Sequence, residues 1–145
     1  MEFEGKIWKS KTSKYWLAEV PSLDVMTQGT SYKNAIAMIQ DAIEMLLVSY
    51  FPHEPRENIR ITVTDYKGGN IGISAQDGKL LLAFSLRRQR IKSGATVREV
   101  AQRLGSKSPN SYAPYERGEK KPSLDKFEQL IQAVNPSKPL RLRIA

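Results

Sequence analysis

The segment Thr96 to Gly118, reading TVREVAQRLGSKSPNSYAPYERG, limits the possible folds of this chain more than any other stretch. Its spacing predicts two short helices joined by a tight turn. Thr96 and Glu99 make a T-x-x-E pair, whose hydroxyl and carboxylate can satisfy orphan N–H groups at a helix start. Val97, Val100, Ala101 and Leu104 then fall on one face at helical spacing. Gly105 is the predicted stop, because glycine enters the left-handed conformation at little cost. Ser108 offers a cap for a second helix, with Pro109 at its first position, where the missing N–H costs nothing. Tyr112 and Tyr115 fall on the buried side of that helix, and Gly118 ends it.

Two such helices present the small polar start of the second one to a DNA major groove. Here that start carries Lys107, Ser108, Asn110 and Ser111. Asparagine pairs bidentately with adenine, and serine or lysine reaches bases or phosphates. Arg87, Arg88, Lys92, Lys120 and Lys121 flank the segment and read as phosphate contacts. Arg90 and Glu116 are expected to form an internal ion pair rather than to meet DNA. Tyr112, Tyr115, Phe127 and Leu130 are expected in the core. Pro114 is predicted inside the second helix, where losing an N–H should kink or loosen it at a cost of up to about 3 kcal/mol.

Charge is distributed unevenly. Residues 1–78 hold 8 Lys+Arg against 10 Asp+Glu, whereas residues 79–145 hold 15 against 5. The first part is therefore near neutral and the second strongly basic, which points to a polyanionic partner for the second alone. Phosphate neutralisation would supply much of its affinity for DNA, independent of sequence.

Periodicity organises the near-neutral part. Residues 3–9 and 15–20 are short runs of aromatic and branched side chains, separated by the polar run Lys9 to Lys14, as in a hairpin. Pro21 ends the second run, and Val25 to Gln28 is a third strand. Thr30 and Ser31 offer caps for an amphipathic helix from Tyr32 to Tyr50, with Ala35/Ile36, Ile39, Ala42/Ile43 and Leu46/Leu47 recurring along it. Pro52 and Pro55 end it. Ile59, Ile61 and Val63 alternate with polar residues as a strand. Gly68-Gly69-Asn70 turns the chain into one further strand at Ile71, Ile73 and Ala75. Gln76-Asp77-Gly78 is the expected boundary. Leu80 to Ser93 then reads as a helix, and Pro122-Ser123 opens a last one with Leu124, Phe127, Leu130, Ile131 and Val134 on its apolar face. The end, Leu140-Arg141-Leu142-Arg143-Ile144, alternates and fits either a strand seeking a partner or a basic arm.

Residues 79–145 resemble the Xre/Cro-type helix-turn-helix family. The likeness runs through Arg87-Arg88-Gln89-Arg90, Gly94-Ala95-Thr96, Val100-Ala101, Leu104-Gly105, Tyr115-Glu116-Arg117-Gly118 and Pro122-Ser123-Leu124. In that family a DNA-contacting glutamine often follows the capping threonine; here Val97 stands there and reads as packing. The run Tyr15 to Asp24, with Thr27-Gln28-Gly29-Thr30 and the helix Ala35 to Leu47, resembles the HicB antitoxin domain. The two resemblances imply an α+β chain. Residues 1–78 would form a β-β-β-α-β degenerate RNase H-like domain that masks a HicA-type, mRNA-cleaving toxin. Residues 79–145 would form an all-α domain that binds operator double-stranded DNA as a homodimer or a larger homo-oligomer.

Other classes are less well served. The chain has no cysteine, so it holds no disulfide and no thiolate site. His53 is the single histidine and has no ligand pair to join. No run reaches the length of a membrane span, and the start has no apolar leader, so a cytoplasmic protein without cofactor is expected. A nuclease needs carboxylates converging on metal ions, but Asp24, Asp41, Glu44, Asp65 and Asp77 are spread over separate elements. No enzyme activity and no metal site are expected. The alternative is a phage-type repressor whose first domain only oligomerises or binds a ligand. Toxin contact is expected at the sheet edge or at exposed strand residues such as Trp16 and Glu19.

Overall fold

Strand pairing begins with a short polar hairpin loop. β1 (Phe3–Lys9) and β2 (Trp16–Val20) are antiparallel, with Ile7 opposite Ala18 and Trp8 opposite Leu17. The structure, a computed structural model, describes residues 1–144. They form two compact units, Met1–Leu81 and the described residues from Leu82 onward.

In the first unit Pro21 opens a single 3₁₀ turn, Pro21–Leu23, that ends at Asp24 with a φ of 51°. β3 (Val25–Gly29) then returns along β2. Ser31 caps α1 (Tyr32–Tyr50), its hydroxyl accepting from the Asn34 N–H at 3.0 Å. Ala35, Ile39, Ile43 and Leu47, spaced at one turn, are the buried stripe of α1. α1 ends before Pro52, as the missing proline N–H requires. Next come α2 (Arg56–Ile59), β4 (Ile61–Asp65) and β5 (Asn70–Ala75). All pairs are antiparallel, and the five strands lie in the order β3-β2-β1-β5-β4. Phe3, Ile7, Ala18, Val20, Val25, Ile61, Ile71 and Ile73 are buried with the α1 stripe.

The observed order is thus β-β-β-α-α-β-β. Two details depart from the sequence-based expectation. Ile59 belongs to the one-turn helix α2 rather than to β4, because Pro55 starts a helical turn that closes through Arg60 N–H to Arg56 O. Ile59 is buried all the same, as its apolar side chain predicts. The next helix, α3 (Gly78–Ser93), begins at Gly78 rather than Leu80, with the Asp77 carboxylate accepting from Lys79 N–H at 3.0 Å.

The second unit holds residues 82–93 of α3, then α4 (Val97–Arg103), α5 (Ala113–Glu116) and α6 (Leu124–Val134). Its core includes Phe84, Leu86, Val100, Ala101, Tyr112, Phe127, Leu130, Ile131 and Val134. Leu124, expected on the apolar face of α6, is 56% exposed. It is the first residue of the helix, next to the Ser123 cap, where it projects past the core. A buried polar pair joins the helix ends: Asn135 Nδ2 donates to Gln89 Oε1 at 3.1 Å. The Leu140 to Ile144 segment takes no regular secondary structure, and Leu142 and Ile144 are exposed.

Candidate nucleic-acid interface

α4 is held at both ends by local chemistry. Thr96 Oγ1 accepts from Glu99 N–H at 3.1 Å, the hydroxyl half of the predicted capping pair. At the other end Gly105 lies at φ 82°, Gly105 N–H reaches Gln102 O at 2.9 Å, and Ser106 N–H reaches Ala101 O at 3.0 Å. Those two bonds are a Schellman stop, which a glycine in the left-handed region permits. Gly118, at φ 74°, closes α5 with the same pair of bonds, Gly118 N–H to Tyr115 O and Glu119 N–H to Pro114 O.

The connection between α4 and α5 is built from serines. Ser108 N–H donates to Ser106 Oγ at 3.1 Å, and Asn110 N–H donates to Ser108 Oγ at 3.2 Å. Ser111 Oγ donates to Ser108 O at 3.0 Å. These bonds fix a 3₁₀ turn, Pro109–Ser111, ahead of α5. The second helix is therefore shorter and more broken than the sequence predicts. Its start is a 3₁₀ turn, Tyr112 is a junction, and α5 is a single turn. Pro114 explains the break. It stands in the first turn of α5, where its absent N–H is an orphan in any case, so it starts a helix instead of kinking one.

The four residues expected at base edges thus lie in one small element, with different freedom. The Ser108 hydroxyl is spent on the cap and the half-buried Ser111 hydroxyl on the turn. Lys107 and Asn110 are exposed, and among the described residues neither side chain makes a hydrogen bond.

An ion pair braces this element. Arg90 Nε donates to Glu116 Oε1 at 2.8 Å, and Arg90 Nη1 donates to Ala95 O at 3.0 Å. Glu116 is buried and Arg90 half-buried, so the pair ties α3 to α5 internally, as expected from sequence. Tyr112 lies fully buried beside the pair; burial first, then the Glu116 carboxylate, push its phenol well above the ordinary range.

The cations fall into groups. Arg87 and Arg88 are half-buried on α3, with the Arg88 guanidinium 6.0 Å from the Phe84 ring centroid. Lys92 is exposed in the last turn of α3. Lys120 and Lys121 are exposed between α5 and α6. Tyr115, expected in the core, is half-buried, with the ammonium groups of Lys120 and Lys126 over its ring at 6.0 and 5.8 Å. Arg117 is bound to Glu119 by two hydrogen bonds, and Arg117 holds the Glu119 carboxyl below its usual range. Sequence reasoning passed over Lys126 and Arg98, the latter exposed in the first turn of α4. Their basic type and spacing on short helices were the available signal.

The first unit carries a second candidate surface. The strand register puts Trp8, Leu17 and Met26 on the sheet face away from the α1 stripe, with Glu4, Lys6 and Glu19 beside them. Glu4, Lys6, Trp8, Glu19 and Pro21 line a shallow hollow there. Trp16, expected on an exposed surface, is instead half-buried on the opposite face. It shares parity with Ala18 and Val20, and its ring meets Tyr32 edge-on at 5.7 Å. Of the carboxylates considered for a nuclease, three have local tasks: Asp65 accepts from Tyr32 OH at 2.9 Å and from Lys67 N–H at 2.8 Å, Glu44 accepts from Ile61 N–H, and Asp77 accepts from Lys79 N–H. Among the described residues no group of three or more His, Asp or Glu is placed to hold a metal ion, and no helix is long and apolar enough to cross a membrane.

Residues 81–143 match the family model of the helix-turn-helix domain. No curated protein matches the chain. The matched segment takes in α3 to α6 and most of the basic tail, so the second unit carries a DNA-binding helix-turn-helix.

Proposed function

We propose that this helix-turn-helix protein is an antitoxin of the HicB type. In this reading the second unit represses the protein's own operon, and the first masks a HicA-type, mRNA-cleaving toxin. One observation carries the reading: a basic helix-turn-helix unit follows a sheet unit whose sequence has HicB-like order. That order is β2 ending at Pro21, the Thr27-Gln28-Gly29 close of β3, and then the amphipathic α1. The five-stranded sheet with its one long helix would be the degenerate RNase H-like body. Its open face offers apolar Trp8, Leu17 and Met26 with carboxylates at Glu4 and Glu19, chemistry suited to a small basic partner. The protein would act in the cytoplasm, without cofactor or catalytic activity, and as a homodimer or larger assembly, since one recognition element reads too few bases.

The full chain should co-purify with the product of the adjacent small open reading frame, and should relieve its growth arrest on co-expression. If the two proteins neither associate nor interact in growth, the antitoxin reading is lost. A phage-type repressor would then account for the DNA-binding unit.

A further inference from the structure

The segment after α6 is anchored at its root and open beyond it. Asn135 is buried, and its Nδ2 donates to Gln89 Oε1 of α3 at 3.1 Å. Just before it, Ala133 O accepts from Arg103 Nη1 of α4 at 2.9 Å. Ser137 Oγ then donates to Asn135 Oδ1, and Lys138 N–H to Asn135 O, both at 3.0 Å. Past Lys138 the chain takes no regular secondary structure up to Ile144, and residues 141–144 are exposed. Residues 136–144, PSKPLRLRI, hold Lys138, Arg141 and Arg143 and no carboxylate. In an extended chain alternate residues share a side, so Arg141 and Arg143 face one way and Leu140, Leu142 and Ile144 the other.

We propose that residues 138–144 are a basic arm that closes on the phosphates of duplex DNA beside the bases met by the Pro109–Ser111 turn, with Lys138, Arg141 and Arg143 as its contacts. The proposal rests on the DNA-binding reading of the second unit. The match to the helix-turn-helix model runs to residue 143, so it includes all three cations. α4 packs against both α6 and the Pro109–Ser111 turn, so little more than the width of one helix, about 10 Å, separates root and turn. Six extended residues from Pro139 to Ile144 span up to about 20 Å, enough to cover that distance. Arginine presents a planar fork that binds phosphate bidentately. The same two arginines disfavour a second copy of the segment as partner. Because they share a side, antiparallel self-pairing centred anywhere from Arg141 to Arg143 sets arginine against arginine, and so does parallel pairing in register. Pairing centred on Leu140 brings in Pro139, which has no N–H to give.

The test compares the full chain with Lys138→Gln/Arg141→Gln/Arg143→Gln on a mixed-sequence DNA duplex across a range of salt. Three lost phosphate contacts should make the slope of log affinity against log salt shallower by roughly 2 to 3. Circular dichroism should not change, since the three side chains are exposed and lie outside every helix. The chain has no cysteine, so Leu142→Cys, at a position 74% exposed, reports on the arm directly. Its reaction with a maleimide should slow several-fold when the duplex is bound. Lys120→Ala is the control, because it weakens the grip outside the arm. An unchanged slope in the triple variant, with Lys120→Ala still lowering it, overturns the arm and leaves the DNA-binding reading standing. Equal maleimide rates with and without DNA do the same. A wild-type chain that does not bind the duplex overturns both. A triple variant that keeps its slope but changes mass in sedimentation, or loses binding to phosphatidylglycerol vesicles, gives the arm another partner and overturns the proposal.

Discussion

The two units reach order by different routes. The first has a long helix across a sheet, and its internal face is apolar throughout, from Phe3 and Ile7 to Ile39, Ile43 and Leu47. The second is made of helices alone, and α6 buries five of its 11 residues where α1 buries four of 19. It adds directed polar contacts: the Arg90–Glu116 pair, the Gln89–Asn135 pair, and Arg103 Nη1 donating to Ala133 O at 2.9 Å. The comparison teaches where a surface can be specific. In the sheet unit the core holds the fold and leaves the open face free to vary. In the basic unit the same capping and turn contacts that hold the fold also place Lys107 and Asn110.

The largest test of that contrast lies in the sheet unit. Ile39 is fully buried in the α1 stripe, so Ile39→Ala should cost roughly 4 kcal/mol through lost transfer energy and a cavity. Urea unfolding should show the loss in the transition of the first unit alone. In the basic unit Glu116→Ala leaves Arg90 largely buried without its carboxylate, at roughly 3 kcal/mol. Because the pair braces α5, operator affinity should fall with it; retained affinity in a folded variant would show that the brace does not position the reading element.

Smaller effects separate reading from grip. Asn110→Ala should narrow the gap between operator and random DNA by roughly 1–3 kcal/mol, whereas Lys120→Ala should weaken both about equally and flatten the salt dependence. The Lys120 effect is further limited because its ammonium already lies over Tyr115. The smallest effect concerns pH. The Asp65 carboxyl is lowered, first by the Lys67 N–H and then by Tyr32 OH. Its stabilising contribution is therefore present above the ordinary aspartate range and is lost as pH falls through the depressed value. Melting temperatures of the wild type and Asp65→Asn should differ near neutral pH and converge in acid.

Much of this was legible in the chain, for reasons that differ by element. The 3.6-residue spacing of Ala35, Ile39, Ile43 and Leu47 fixed α1, and Ser31, Thr96 and Ser123 marked helix starts by caps that the structure shows. The Arg90–Glu116 pair was legible as two opposite charges on the helices that flank α4. Where reading failed, competing local forces decided. Pro55 drew Ile59 into a turn, and the serine network with Pro109 and Pro114 divided the second helix into a 3₁₀ turn and a short α-turn. Trp16 was placed on the wrong face, although its parity with Ala18 and Val20 carried the answer. Tyr115 shares the helical spacing of Tyr112, and spacing alone does not show that lysine side chains rather than the core cover its ring.

The division of labour between the units is tested most directly by a chain that has lost one task. Asn110→Ala/Lys120→Ala should be titrated against the adjacent open reading frame's product, with RNA cleavage and operator binding followed in the same samples. The account predicts that operator binding weakens while the stoichiometry of toxin neutralisation stays at the wild-type value. Neutralisation that falls in step with DNA binding would contradict it.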